Sequence, residues 1–163
     1  MAGEQRAFQD AMPGNHCWGC GAGNDAGFQI KSYWDGDESV CRFQPQAHHA
    51  AWPTHVLNGG VISTVIDCHA ICTAIAAAYR AEGREVGEGD LIVYATASLN
   101  VSFKLPTPIG EPVDLRAVVT EKTDRRINIS CTLSSGDQVC ATAEVVTIRV
   151  PPAWLETASE GSG

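Results

Sequence analysis

From Gly60 to Arg80 the chain passes through Val61, Ile62, Val65, Ile66, Ala70, Ile71, Ala74 and Ile75 into a string of alanines, and hardly any polar stripe is left. Apolar residues at this density, with Gly83 placed as a stop, predict an α-helix of about 20 residues. A helix that is apolar nearly all round has to be enclosed. At 1.5 Å per residue it would run about 30 Å, enough to cross a small domain. The remainder of the chain must therefore supply a wrapping.

The flanking patterns are those of strands. Phe28 to Trp34 and Ser39 to Gln44 alternate around the turn Asp35-Gly36-Asp37 and read as a hairpin. Beyond the helix, Val93, Ala95, Ala97, Leu99, Val101 and Phe103 alternate with Tyr94, Thr96, Ser98, Asn100, Ser102 and Lys104, which predicts a long half-buried strand. Val113 to Thr120, Ile127 to Ser134 and Val139 to Val150 follow, joined by short polar turns that favour antiparallel pairing. One long central helix with five to six strands in a curved, largely antiparallel sheet is an α+β architecture. The organisation expected is a flexible leader over 1–14, one domain over 15–150 and a fraying tail over 151–163.

Composition narrows the partners. A net charge of −8 repels a polyphosphate backbone, which argues against nucleic acid. The start of the chain lacks the basic flank and apolar run of a signal peptide, and Asp67 and His69 interrupt the apolar helix, so a cytoplasmic protein with no membrane partner is expected. Seven scattered cysteines do not form a secreted disulfide framework. Cys17-Trp-Gly-Cys20 beside His16 has the look of half a zinc site, but no second Cys-x-x-Cys follows and four ligands are normally needed. The pair is read as a structural turn, and no metal or other cofactor is expected.

Two features of the helix call for explanation. Asn58-Gly59-Gly60 stands at its start, where unpaired backbone N–H groups and a partial positive charge meet glycines that leave the backbone open to a ligand. Such a tip suits an oxygen on which negative charge develops, although a tight turn explains the glycines equally well. Asp67 lies inside the apolar run, where a carboxylate is costly without partners. It caps a neighbouring element, pairs with an arginine such as Arg80 or Arg84, or acts as base or nucleophile beside a cleft. Gly60 and Asp67 are seven residues apart, about 10 Å along the axis, too far to touch one reacting carbon. Two helices packed antiparallel would bring the Asp67 of one toward the glycines of the other, so a homodimer with two composite sites is expected, with a dimer of dimers left open.

These features resemble the hotdog-fold acyl-CoA thioesterases, and among them the PaaI-like branch, over residues 17 to 150. Members carry His-Gly-Gly followed nine residues after the His by an Asp on the central helix; Asn58-Gly59-Gly60 and Asp67 stand at that spacing. A family strand of the form Ser-x-x-x-Asn-x-x-Phe, leading to a Pro and a Gly-Glu turn, is similar to Thr96 through Asn100 and Phe103 to Pro106, then Gly110-Glu111. The segment CWGCGAGNDAGFQI is similar to the opening segment of part of that branch.

The resemblance implies hydrolysis of a small or medium acyl-CoA thioester, with coenzyme A present only as part of the substrate. Asp67 would be general base or nucleophile, Gly60 and Gly59 would polarise the carbonyl, and Thr96 would help place water. Asn58 stands where the family has His; its amide caps or donates but does not titrate near neutral pH. The loop histidines His48, His49 and His55 are candidates to supply what that His would, and His69, about 160° round the helix from Asp67, is expected to bond to the sheet or a partner subunit. Asn100 is a further substrate contact, and Lys104, Lys122, Arg125 and Arg126 are candidates for the coenzyme A phosphates. Two rivals remain: a hotdog protein that binds acyl-CoA without cleaving it, favoured by Asn58, and a metal protein using Cys17, Cys20 and histidines.

Overall fold

The computed structural model describes residues 4–156. The apolar run forms α1, Gly59–Ala81, started by Asn58, whose side chain accepts from the N–H groups of Gly60 and Val61. It ends in a Schellman arrangement: Arg84 N–H donates to Tyr79 O and Gly83 N–H to Arg80 O, with Gly83 at φ +68°. Its most apolar stretch has a mean hydropathy of 1.8, and 67% of that stretch is buried within the chain. The helix is long and apolar enough to cross a membrane, but here the sheet encloses it.

Six strands do the enclosing: β1 Ser32–Asp35, β2 Glu38–Phe43, β3 Tyr94–Phe103, β4 Val113–Lys122, β5 Arg126–Ser135 and β6 Gln138–Arg149. They form one antiparallel sheet in the order β1-β2-β4-β5-β6-β3. Strict alternation on the central strands sends Leu115, Ile127, Ile129, Leu133, Ala143 and Val145 onto the helix. Val65, Ile66, Ala70 and Tyr79 of α1 close the core from the other side.

Four expectations change. The first strand begins at Ser32 rather than Phe28, because Phe28 N–H donates to Trp18 O and Ile30 N–H to Gly19 O, tying this stretch to the loop before it. The leader is not loose in its described part: Ala7, Phe8 and Gln9 are buried, and Phe8 packs on Trp34 with ring centroids 5.2 Å apart. The tail, expected to fray, forms a short helix α2, Pro152–Glu156, while its residues 157–163 and leader residues 1–3 lie outside the described residues.

The largest departure is β3. Expected to be half-buried, it is mostly exposed, because it lies at the sheet edge with β6 on one side only. A bulge also breaks its alternation: Thr96 pairs with Thr147 but Ser98 with Val146, so Ala97 is an extra residue. Tyr94 and Thr96 before the bulge therefore share the helix-facing side with Leu99, Val101 and Phe103 after it, opposite the buried Val145, Ala143 and Ala141. Asn100, paired with the exposed Glu144, is turned to the outer face, away from Thr96.

Candidate active site

The bulge brings Thr96 to the middle of α1, where its Oγ1 donates to Asp67 Oδ1 at 2.6 Å. Asp67 is half-buried, and neither arginine considered for it is its partner. Arg80 donates to Gly36 O and stacks 3.8 Å from the Trp34 ring centre, and Arg84 pairs with Glu82 at 2.5 Å. Burial pushes the Asp67 carboxyl above its ordinary value, the Thr96 hydroxyl pulls it back, and nearby Cys20 adds to the rise. The result is a carboxylate held by one neutral donor and poised to take a proton.

His69 lies on the opposite side of the helix and does not reach Asp67. Fully buried, it has Nδ1 2.8 Å from Ser32 Oγ and Nε2 3.3 Å from Ser39 O. A carbonyl only accepts, so Nε2 carries the proton and Nδ1 accepts from Ser32. Gln9 Nε2 donates to the same Ser32 hydroxyl at 2.9 Å, and Thr73 continues the network through Ser39 Oγ. Burial lowers the imidazole to about 4, so it stays neutral and joins α1 to β1, β2 and the N-terminal segment.

At the helix tip, the Gly60 N–H is already engaged: it donates to Asn58 Oδ1 at 2.7 Å. Asn58 thus caps the helix with the group expected to meet a carbonyl. The Gly59 N–H donates to nothing among the described residues, and a Cβ added at Gly59 would touch Phe103 at ordinary contact distance, 3.4 Å from its Cζ. Of the two glycines, Gly59 holds the open donor. It faces a largely apolar cleft of about 590 Å³ lined by His55, Ile62, Phe103, Lys104 and Leu105 among others. A larger hollow of about 750 Å³, reached by Asn58 and Val61 but by neither glycine, lies between the N-terminal loop and β2.

The remaining candidates divide. His55 and Lys104 join Gly59 at the cleft. Lys122, Arg125 and Arg126 do not: the β4–β5 turn that carries them stands by Ala81 and Glu82, at the other end of a helix roughly 35 Å long. Arg126 there pairs with Glu121 at 3.2 Å. His49 is buried, stacks on Phe43 and is lowered by burial and by His48, so it packs the loop, while His48 is exposed beside the larger hollow. Cys68 stands next to Asp67 and carries no role in the sequence reading, while Phe103, the aromatic of the family-like strand motif, stands beside Gly59.

The sequence profile of the thioesterase superfamily matches residues 54–142, which span Asn58, the glycines, Asp67, Thr96 and the edge strand. The chain belongs to this superfamily. Among solved structures, a thioesterase superfamily protein from Shewanella loihica is 28% identical, with a TM-score of 0.63 over 79% of this chain and 97% of that one. The PaaI protein from the phenylacetic acid degradation operon of E. coli shares the fold at 12% identity, with a TM-score of 0.62 over 76% of this chain and 81% of its own. The acyl-coenzyme A thioesterase THEM4 of Rattus norvegicus is 30% identical over 114 residues, 69% of this chain and 43% of that protein. The mouse THEM4 is 28% identical over 126 residues, 76% of this chain and 48% of its own length. The chain thus spans less than half the length of the curated relatives it matches.

Proposed function

We propose that this superfamily member hydrolyses a small or medium acyl-CoA thioester, with Asp67 activating water and the Gly59 amide at the helix tip of a second copy polarising the carbonyl. The observation that carries this reading is the half-buried Asp67, bonded by Thr96 and without a cationic partner among the described residues. Asp67 takes a proton from water as oxygen attacks the thioester carbon, and returns it to the sulfur of coenzyme A as the C–S bond breaks. Lys104, exposed at the rim of the apolar cleft, is placed to meet phosphate.

The second copy is needed because Gly59 and Asp67 lie eight residues apart on one helix, about 12 Å along its axis. The unpaired edge of β3, 10 residues long, with Leu99 37% and Phe103 56% exposed on its helix-facing side, supplies a surface for a partner. Asp67→Asn is expected to keep the fold and lower thiol release by about two orders of magnitude or more. A composite site predicts that mixing Asp67→Asn chains with Gly59→Val chains restores activity that neither variant has alone. Wild-type rates in Asp67→Asn would end the mechanism, and failure of the mixture to recover activity would place the site within one chain.

A second reading rests on Asn58: with the Gly60 N–H held by its cap, the helix tip offers one open donor rather than two. A protein that only holds acyl-CoA would bind a panel of acyl-CoAs without releasing thiol, and the same assay separates the two. Cytoplasmic location and the absence of membrane or nucleic-acid partners remain part of this proposal.

A further inference from the structure

Four of the seven cysteines converge beside α1. Cys17 and Cys20 come from the N-terminal loop at Cys-x-x-Cys spacing, and Cys68 and Cys72 sit one helical turn apart on the face that this loop covers. The Sγ atoms of Cys17, Cys20 and Cys68 all lie within 4.8 Å of one another, and Cys72, fully buried one turn further along the helix, lies near Cys20 outside that group. Cys17 Sγ and Cys68 Sγ are 3.8 Å apart. A zinc ion bound tetrahedrally at about 2.3 Å from each sulfur sets its ligands about 3.8 Å from one another. The Cys17–Cys68 separation matches the edge of such a tetrahedron, and the other two pairs of this trio lie within 4.8 Å.

The loop is shaped to hold them. A Cβ at Gly21 would lie 2.4 Å from Cys17 N, and one at Gly19 would lie 2.3 Å from Cys68 Sγ, so the backbone folds tightly round the pair and directly against the helix thiol. Asn15 fixes both ends: its Oδ1 accepts from Cys17 N–H at 2.8 Å, and its Nδ2 donates to Cys20 Sγ at 3.6 Å. Donors aimed at sulfur favour thiolate over thiol and orient it as a ligand. Cys17 is exposed, which gives an ion a way in, while Cys20, Cys68 and Cys72 are buried.

We propose that Cys17, Cys20, Cys68 and Cys72 form a tetrathiolate site for a single zinc ion, which fastens the N-terminal loop to the central helix one residue beyond Asp67. Four soft thiolates in a tetrahedron select zinc over harder divalent ions. An iron–sulfur cluster would hold the sulfurs further apart than one ion does.

The test is read without substrate, so its outcome does not depend on what the chain hydrolyses. Full-length protein, reduced and stripped with chelator, is titrated with cobalt(II) and then zinc. We expect about one ion per chain, a thiolate-to-cobalt charge-transfer band with the visible spectrum of a tetrahedral site, its loss on adding zinc, and a higher Tm for the zinc form. Cys17→Ser, a change at an exposed loop position, is expected to keep the circular dichroism of the fold and weaken metal binding at least tenfold. Cys140→Ser, outside the cluster, is expected to bind as the wild type does. Fully reduced protein that gives no charge-transfer band and takes up no stoichiometric zinc would overturn the proposal. So would an unchanged cobalt spectrum in Cys17→Ser, or a Cys17–Cys68 disulfide in air from protein that binds no cobalt when reduced.

Discussion

The buried His69 network makes the fold sensitive to mild acid. In the folded chain the imidazole titrates at about 4, against an ordinary 6.5 once it is exposed by unfolding. Between those values the unfolded chain binds a proton that the folded chain refuses, so stability is full above pH 6.5 and falls as pH drops toward 4. The whole window is worth about 3 kcal/mol, and about 2 kcal/mol of it is gone by pH 5. The cause is burial: an imidazolium at this fully enclosed position would be stripped of water, and the Ser39 carbonyl that accepts from Nε2 offsets only part of that cost. Urea unfolding at pH 7 and pH 5, compared between wild type and His69→Gln, isolates this group from the surface carboxylates. The variant is less stable at pH 7 but should lose about 2 kcal/mol less on acidification. Equal losses in the two proteins, or a His69 ring seen by NMR to titrate near 6.5 in the folded state, would refute the reasoning.

Other consequences are as direct. Thr96→Val removes the hydroxyl that pulls the Asp67 carboxyl down, so the acid limb of the pH–rate profile should move to higher pH while circular dichroism stays unchanged. Asn58→Ala deletes the cap on Gly60 and Val61 and should cost about 1 kcal/mol in urea unfolding, with Asn58→Asp close to neutral. Gly59→Ala, whose methyl meets Phe103, should leave Tm nearly unchanged and lower kcat by narrowing access to the open amide. Leu99→Lys places a charge on the exposed edge strand and should shift the protein toward monomer in sedimentation.

The helix and the strand order of periodicities were legible because burial on one face forces a regular spacing, and α1 and β4 to β6 fall within about two residues of where that spacing put them. What alternation could not show was Ala97, since a bulge adds a residue without altering the apolar count on either side. That insertion moved Thr96 onto Asp67 and turned Asn100 away. The Asp67–Thr96 pair was foreseen only through resemblance to a family. The engagement of Gly60 by Asn58 is a side-chain choice that the sequence left open between donor and cap. Within one chain Arg125 and Arg126 stand at the far end of the helix from Gly59, since a turn's position along the chain says little about which end of the helix it faces. The thiol cluster escaped for a similar reason: its second pair has helical spacing, Cys-x-x-x-Cys, and lies 48 residues from Cys20 in the chain.

The extra residue at Ala97 means that the geometry around Asp67 is stored in a length as well as in identities. Removing that one alanine would keep every named side chain, yet rotate Tyr94 and Thr96 half a turn about the strand, out toward solvent. The carboxylate would lose the Thr96 hydroxyl while the barrel-like wall behind it stayed intact. A deletion here would thus disconnect the chemistry from its scaffold without altering a single residue that touches Asp67.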